Sequence, residues 1–388
     1  MAKRLEYKSR IEPISMIPND IPEDITDREK EYFLKVVSVD LNESQRRQIL
    51  EIPAVYSRQE SVLAAHWHPE HVPMDLISQR IESMFPNKKQ ELIIPTQHNE
   101  IMSYGPYSGV EVDCYASGFN QKVQLLLHFE NERVKDAHML KQMLAHTFKY
   151  RSSQLFDFME SITRPHTDRL EEAARQTGAN DTLISFVQSY VRKIEKLMDE
   201  YYSNISPRSV KNKVLRNFFD CLRKDYSDAL IDRAQTFLTA VKKIVKQHFP
   251  LQYFYRASEI IEEARSLHAG IVIPHPEQFW PVLMAGYDVD GVEVWNPQSH
   301  RYTQFLISVL NEKNRYTSPA DRPLLIFMGD DTHMGEKTRD PKEQNPEKAS
   351  REIGLQVAWD DLCIRKTLIM NGCNRKQVIA EYKNRLAG

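Results

Sequence analysis

The sequence predicts an α/β protein, a (β/α) barrel of seven strands with a large inserted helical subdomain. Three observations support this fold class. Seven short apolar runs, rich in β-branched residues, have the length and composition of strands buried on both faces. A helix-like segment at about residues 73–84 separates the first two runs and predicts a βα unit with parallel strands. Helix-like sequence also fills about residues 131–267. A doubly wound open sheet is the alternative.

The long helix-like stretch separates the fourth predicted strand from the fifth. Because a connection of that length does not fit inside a compact barrel, we expect it to form a subdomain of its own. The predicted organisation is an N-terminal extension over 1–58, a barrel over 59–130 and 268–388, and a helical insertion over 131–267. The predicted strands are Ser61–Ala65, Glu91–Pro95, Tyr107–Cys114, Lys122–Leu127, Gly270–Pro274, Gly291–Val294 and Pro323–Met328.

The composition is that of an ordinary soluble protein. Of the 388 residues, 41% are hydrophobic and 27% are charged, and the net charge of -2 gives no global sign of nucleic-acid binding. The four cysteines show no CxxC spacing and no apolar signal segment precedes them, which predicts reduced thiols. No apolar run approaches the roughly 18 residues that cross a membrane, so we expect a cytoplasmic protein.

Side chains that bind metals stand at or within six of the seven predicted strands. His66 and His68 are two residues apart on a strand and therefore project to the same side of it. In a parallel barrel the carboxyl ends of all strands face one side, which carries the active site, so we expect distant residues to converge there. The candidates are His66, His68, His98, Glu111, His128, His275, Asp331 and His333.

Imidazoles combined with carboxylates favour Zn²⁺, Mn²⁺ or Fe²⁺, whereas Mg²⁺ and Ca²⁺ prefer shells made of oxygen alone. Any one of these histidines is more often structural than a ligand, and the joint pattern is what indicates a metal centre. The candidates outnumber the four ligands of one tetrahedral zinc ion, which predicts two or more metals.

Six motifs occur in a fixed order from about Ser61 to Gly335, interrupted by the helix-like stretch. They are His66-x-His68, Thr96-Gln-His98-Asn99, Gly109-Val-Glu111, Pro274-His275-Pro276, Gly291-Val-Glu293-Val-Trp-Asn296 and Gly329-Asp-Asp331-Thr-His333. As a set they resemble the PHP family, the polymerase and histidinol phosphatase domain. The resemblance implies a distorted, TIM-like (β/α) barrel of seven strands with a two- or three-metal centre that hydrolyses phosphoesters.

The resemblance also implies a role for each candidate, with Glu111, Asp331 and His333 as the catalytic residues. It implies a first metal held by His66, His68, Glu111 and Asp331, a second served by His98 and His333, and a third that Glu111 bridges with His275.

Two positions depart from the family pattern. In the fourth strand, Gln124 stands where the family has a histidine. His128, four residues further on, is the expected substitute ligand for a third metal. Beside the second-metal ligand, Gln97 replaces an aspartate that would orient His98.

The first functional hypothesis is a metal-dependent phosphoesterase, in which paired metals activate water and clamp phosphate oxygens. The chain has neither a Gly-x-Ser-x-Gly elbow nor a Walker-type loop, and Arg151, Arg256 and Arg301 are candidates to bind phosphate. A local excess of basic residues over 208–246 favours a nuclease acting on DNA or RNA, whereas a solvated helix face explains the same residues without function. A small phosphorylated metabolite, with the insertion as a lid, is the other substrate class.

The second hypothesis is a barrel with weakened catalysis whose helical insertion binds a protein partner or a second copy of the chain. Gln97 and Gln124 favour it, and the six retained ligand-type residues count against it.

Overall fold

The computed structural model describes residues 21–116, 122–164, 167–278, 280–318 and 322–388. The chain divides into two compact units. The helical unit consists of Met1–Val39, described from residue 21, and Arg151–Phe249. The sheet unit consists of Asp40–Tyr150 and Pro250–Gly388, and so includes residues 131–150 and 250–267 of the predicted insertion. The first twenty residues of the predicted N-terminal extension lie outside the described part of the chain.

Within the described residues the sheet unit contains ten strands, and all seven predicted strands are among them. The three strands without a sequence prediction have two or three residues each. In chain order the strands are β1 (Ser61–Ala64), β2 (Trp67–His68), β3 (Gln90–Ile93), β4 (Met102–Tyr104), β5 (Tyr107–Tyr115), β6 (Lys122–Glu130), β7 (Gly270–Ile273), β8 (Gly291–Trp295), β9 (Leu325–Met328) and β10 (Thr332–His333).

The α-helices are distributed over both units. In chain order they are α1 (Asp27–Val37), α2 (Glu43–Leu50), α3 (Met74–Met84), α4 (His138–Phe148), α5 (Tyr150–Thr163), α6 (Thr167–Thr177), α7 (Asp181–Tyr201), α8 (Lys213–Cys221), α9 (Asp228–His248), α10 (Ala257–Ser266), α11 (Trp280–Met284), α12 (Thr303–Arg315), α13 (Pro346–Ala349), α14 (Leu362–Met370) and α15 (Arg375–Ala387). None of the helices in the described residues combines the length and apolarity needed to cross a membrane.

The strands form three sheets. β1 pairs in parallel with β3, and β2 pairs in parallel with β10. The third sheet has six strands in the order β4-β5-β6-β7-β8-β9. The fold is therefore mixed α/β, and the strands of the described residues do not close into one barrel sheet.

The expectation that the long predicted strands all run parallel is wrong for β6, which pairs antiparallel with both β5 and β7. Only six residues separate the end of β5 from the start of β6. A parallel crossover needs a dozen residues or more, so a connection this short permits only an antiparallel pair. The last pairs of the sheet, β7 with β8 and β8 with β9, are parallel as predicted.

β1 is buried on both faces, as its apolar sequence predicts. Successive side chains of a strand point to opposite faces. Leu63 accordingly packs in the core that lies against the six-stranded sheet, whereas Val62 and Ala64 pack in a second core with residues of α3. β1 is thus fixed between two apolar layers, and the histidines that follow it begin from a rigid position.

The helical unit has its own core, to which α1 and the helices from α5 to α9 contribute. α7 is amphipathic, because Phe186, Tyr190, Ile194 and Leu197 recur every three or four residues and all are buried. At the start of α1, Thr26 accepts a hydrogen bond from the backbone of Glu29 and forms a capping box, a motif that contributes about 1 kcal/mol.

Candidate metal centre

Backbone hydrogen bonds hold the segments that carry the predicted ligands next to one another. The amide of Asp331 donates to the carbonyl of His66 at 2.9 Å, and the amide of Asn99 donates to the carbonyl of Glu111 at 2.8 Å. His333 lies opposite His68 in the β2–β10 pair. These pairings join residues that are far apart in the sequence, and they predict that side chains from these segments meet.

The first group of side chains consists of His66, His68, Glu111 and Asp331, all buried. Nε2 of His66 lies 3.9 Å from Oε1 of Glu111 and 3.7 Å from Oδ1 of Asp331. Nε2 of His68 lies 3.5 Å from Oε2 of Glu111 and 3.5 Å from Oδ1 of Asp331. Two imidazoles and two carboxylates therefore point their ligand atoms at a common space.

These separations are too long for hydrogen bonds and suit ligands of one ion. Atoms that each lie about 2.1 Å from a tetrahedral Zn²⁺ are separated from one another by roughly 3.4 Å. Nε2 of His66 and both ring nitrogens of His68 are buried, and within the described residues they have no hydrogen-bond partner. Buried polar atoms without partners are rare in folded proteins, so this group fits a metal ion.

The second group consists of His68, His98 and His333. The ring centroid of His68 lies 4.5 Å from that of His98 and 4.3 Å from that of His333, and the last two lie 6.0 Å apart. Ligand atoms of these three histidines lie within 4.8 Å of one another, as do those of His66, His68 and Glu111. Oδ1 of Asp331 lies 3.4 Å from Nε2 of His333 and thus faces both groups.

Glu111 connects the same two groups. Nδ1 of His98 lies 2.7 Å from Oε2 of Glu111, in an arrangement that does not form a hydrogen bond. Nε2 of His275 lies 3.7 Å from the other oxygen, Oε1. One carboxylate therefore faces imidazoles from four strand ends, which is the arrangement of a bridging ligand.

The orientation of His66 is set by Glu293, a residue of β8. Nδ1 of His66 lies 2.8 Å from Oε1 of Glu293, while the other carboxylate oxygen accepts hydrogen bonds from the amide of His275 and the side chain of Asn296. Metal-binding histidines usually donate their second ring N–H to such an acceptor, which leaves the first nitrogen free to bind. The contact with Glu293 therefore presents Nε2 of His66 to the cluster.

The electrostatics of the cluster favour cations. Burial raises the pKa of Glu111, but His98, His275 and His68 hold it well below its ordinary value. Burial likewise opposes ionisation of Asp331, whose pKa His333, His68 and His66 hold well below normal. Burial lowers the pKa of His66, but Glu293, Asp331 and Glu111 together raise it to about 10. Ionised carboxylates at the centre of a buried cluster demand positive charge, which a divalent ion would supply.

The backbone is strained at two of the predicted ligands. His275 and Asp331 have φ values of 29° and 46°, a region that side chains other than glycine seldom adopt. Both are held there by hydrogen bonds from their amides, to Glu293 and to His66 respectively. Gly329 permits this packing, because a Cβ atom there would lie 1.6 Å from Oε1 of Glu293.

Of the predicted ligands, the structure does not bring His128 into the cluster. Nδ1 of His128 lies 2.7 Å from the hydroxyl of Tyr382, and Nε2 lies 2.9 Å from the carbonyl of Ala65. Since β6 runs against its neighbours, its carboxyl end points away from the carboxyl ends of β7 and β8. His128 is therefore a hydrogen-bonded core histidine. The expectation that it replaces the ligand missing at Gln124 is wrong, because it lies outside the cluster.

The two glutamines that depart from the family pattern have other contacts. Oε1 of Gln97 accepts a hydrogen bond from the amide of Glu70 at 2.9 Å. Nε2 of Gln124 donates to Asp113 at 3.1 Å. Asp113 also accepts from Asn99, the neighbour of His98, at 2.6 Å. Gln124 thus belongs to a polar network behind His98.

Two side chains that the sequence did not single out hold Asp331. Arg351 is buried, and its Nη1 donates to Oδ2 of Asp331 at 2.8 Å and to the backbone carbonyl of Asp331 at 3.2 Å. Nε2 of Gln298 donates to the same Oδ2. Both donors engage Oδ2, so only Oδ1 faces the imidazoles. Neither residue stands at a strand end or in a motif, and only the folded chain shows their role.

The residues proposed to bind phosphate or nucleic acid have contacts of other kinds. Arg256 donates to the hydroxyl of Tyr115 at 3.2 Å, Arg301 lies 4.8 Å from the ring of Tyr302, and Arg151 belongs to the helical unit. In the basic stretch, Arg223 contacts three aspartates, at Asp220, Asp228 and Asp232. Acidic partners thus offset part of the local positive charge.

Comparisons with known proteins add little to this picture. No protein-family model matches the chain, and no curated protein matches it. Among solved structures, the chain is similar to one described as a putative metal-dependent phosphoesterase from Bifidobacterium adolescentis. The likeness covers 86% of this chain and 93% of that chain, with 15% sequence identity and a TM-score of 0.34. A likeness at this level shows neither the fold nor the activity of this chain.

Proposed function

We propose that the chain is a metal-dependent hydrolase of phosphoester bonds. The observation that carries the proposal is the convergence of five imidazoles and two carboxylates from segments far apart in the sequence. Among the described residues, the buried Nε2 of His66 and both ring nitrogens of His68 have no hydrogen-bond partner. Divalent ions bound at such a site act as Lewis acids on phosphate oxygens and make a water nucleophile available at neutral pH. The motif order supports a distorted barrel related to the PHP family.

Each side chain has a role in this proposal. His66, His68, Glu111 and Asp331 would hold one ion, and His98 with His333 would hold a second. Glu111 and Asp331 would supply carboxylate oxygens to both ions, since each faces both groups. His275 approaches Glu111, but with His128 engaged elsewhere the described residues bring few further ligands to a third ion. We therefore infer two firmly held metals of the Zn²⁺, Mn²⁺ or Fe²⁺ class.

The side from which a substrate reaches the centre follows from exposure. His98 and His333 have 23% and 17% of their side chains exposed, whereas the other five members are nearly inaccessible. A phosphoester would therefore approach over the second group. Oε1 of Glu70 lies 3.7 Å from Nδ1 of His333, an ion-pair distance without a hydrogen bond, which adds a further carboxylate beside the second group.

The test combines metal content with hydrolysis. Purified chain should retain one to two transition-metal ions, and with Mn²⁺ it should hydrolyse at least one member of a panel containing single-stranded DNA, double-stranded DNA, RNA and phosphomonoesters. Asp331→Ala removes an oxygen that faces three imidazoles, and it should abolish hydrolysis and lower metal content while the circular dichroism spectrum stays unchanged. Elemental analysis and product chromatography measure both effects.

Asp136→Ala is the matched control, because this aspartate of the sheet unit is exposed. The control should leave metal content and hydrolysis at wild-type levels. Less than about one ion per chain together with no hydrolysis would contradict the proposal and favour the scaffold alternative. Activity that survives Asp331→Ala would show that the site is elsewhere.

A further inference from the structure

A cavity of about 1210 Å³ lies in the sheet unit at the start of β1. It is formed by the segment before β1, by α14 with the segment before it, and by the residues around the start of α15. Ser61, which lines it, precedes His66 by five residues of near-extended chain, or roughly 16 Å. The cavity is thus separate from the candidate metal centre.

Three arginines line this cavity, namely Arg58, Arg365 and Arg375, and we call it the arginine cavity. The side chains of Arg58 and Arg365 are exposed and have no ion-pair or hydrogen-bond partner among the described residues. Guanidinium groups present planar, paired donors that match the oxygens of carboxylates and phosphates. Exposed arginines are common on protein surfaces and do not by themselves indicate a binding site.

Buried hydrogen-bond donors in the wall of the arginine cavity are a second indication of a ligand. Nε and Nη2 of Arg375, Nε1 of Trp359 and the hydroxyl of Ser61 are all buried without a hydrogen-bond partner among the described residues. Trp359 and Ser61 are each 6% exposed. Native proteins leave few buried donors unsatisfied, and here four such atoms belong to three residues of one cavity wall. Together they call for a ligand that accepts hydrogen bonds.

The acidic residues of the lining are partly engaged. Glu60 lies 2.7 Å from Lys89, and Asp361 caps α14 through the amides of Cys363 and Ile364. Asp360 lies 3.6 Å from Nη2 of Arg375, an ion-pair distance without a hydrogen bond. A ligand anion would therefore find cationic groups that these carboxylates do not satisfy.

The remaining lining is apolar and aromatic. It includes Val55, Tyr56, Leu355, Val357, Trp359 and Ile369. Val357 and Ile369 are 63% and 62% exposed, which is unusual for large apolar side chains. Ligand pockets combine such surfaces with a few converging polar groups that fix orientation.

We propose that the arginine cavity binds a small organic anion, with a carboxylate or phosphate group on an aromatic or apolar body. The head group would accept from Arg58, Arg365 and Arg375, and the body would pack on Trp359 and the apolar wall. This proposal does not depend on the metal centre or on any activity there.

The test uses 8-anilinonaphthalene-1-sulfonate, an aromatic anion whose fluorescence rises in apolar sites, with the full chain in chelator. We expect one saturable site per chain. Arg58→Gln combined with Arg365→Gln should weaken it by about tenfold or more, since two charge-assisted contacts are lost. Arg322→Gln, at another exposed arginine of the sheet unit, should leave it unchanged. Asp331→Ala should also leave it unchanged.

Competition identifies the head group. 1-Naphthoate and 1-naphthylphosphonate carry the two head groups on the same body, and the one that displaces the dye at lower concentration shows which anion the cavity prefers. The proposal is overturned if the dye does not bind, if neither competitor displaces it, or if the double variant binds as the wild type does. Equal weakening by Arg322→Gln would also overturn it.

Discussion

At the scale of single residues, two buried histidines show that surroundings decide the role of a side chain. His68 has carboxylates at 3.5 Å, and in the described part of the chain neither of its ring nitrogens has a hydrogen-bond partner. His128 is equally buried, but both of its ring nitrogens lie within hydrogen-bond distance of a partner. The sequence alone made both of them candidate ligands. Only the first is placed to bind a metal.

The environment of His128 predicts a pH dependence of stability. Burial, together with the nearby His66, lowers its pKa from 6.5 to about 3, although the hydrogen bond to the carbonyl of Ala65 opposes the shift. Between these values the unfolded chain binds a proton that the folded chain does not, so stability falls as the pH falls. The contribution changes by about 1.4 kcal/mol per pH unit.

His128→Gln removes this titration. We therefore expect the stability advantage of the wild type over His128→Gln to shrink by about 1.4 kcal/mol for each unit from pH 6 to pH 4. Urea unfolding at each pH, with chelator present so that bound metal does not contribute, measures the difference. Parallel stability curves for the two proteins would contradict the prediction. At neutral pH the variant should retain the metal content of the wild type.

At the scale of elements, two features place the ligands: the direction of the strands and the close packing of the chain after β9 against β8. Glu111 stands within β5, and His68 and His333 lie opposite each other in the parallel pair of β2 with β10. The other ligands follow β1, β3, β7 and β9, which run in parallel pairs. Gly329, which follows β9, lies so close to β8 that the side chain of Glu293 occupies the space a Cβ atom would need. This position therefore connects backbone packing to the orientation of His66.

Gly329→Ala should displace Glu293 and deprive Nδ1 of His66 of its acceptor. Loss of such an acceptor typically weakens metal binding by about 10- to 100-fold. Competition with a chelator of known affinity measures the loss, and circular dichroism confirms that the chain is folded.

Glu293→Gln provides the internal control for this route. If Gly329→Ala acts through Glu293, the double variant should lose little more affinity than either single variant, because contacting residues are not additive. Full additivity would mean that the glycine acts by another route.

At the scale of the whole molecule, the chain consists of two units with separate cores. All members of the candidate metal centre belong to the sheet unit. A ligand that binds only the folded form raises the free energy of unfolding by RT ln(1 + [L]/Kd). This is about 4 kcal/mol when the free ligand concentration is a thousand times Kd. Metal should therefore stabilise one unit directly.

Differential scanning calorimetry tests this division. With metal bound we expect two transitions, and chelator should lower the midpoint of one of them while the other stays in place. Phe237→Ala, a buried position of the helical unit, should lower the other midpoint, since such truncations cost about 3–5 kcal/mol. A single transition that both changes shift equally would show that the units unfold together.

The sequence by itself determined the elements and the chemistry. Apolar runs and helical spacing depend on neighbouring residues, so the seven long strands and α7 follow from local pattern. The choice of histidine and carboxylate side chains predicted a metal centre, because residue type sets the ligand atoms. The short link between β5 and β6 also contained the signal for an antiparallel pair, which the barrel hypothesis overlooked.

Only the tertiary structure decided which candidates meet. Strand direction excluded His128, and the segments after β8 and β10 brought Gln298 and Arg351 to Oδ2 of Asp331. The three unpredicted strands are too short to show a period. β4 pairs with the longer β5, whereas β2 and β10, distant in the sequence, pair with each other. Contacts between distant segments depend on the packing of the whole unit, so no local pattern encodes them.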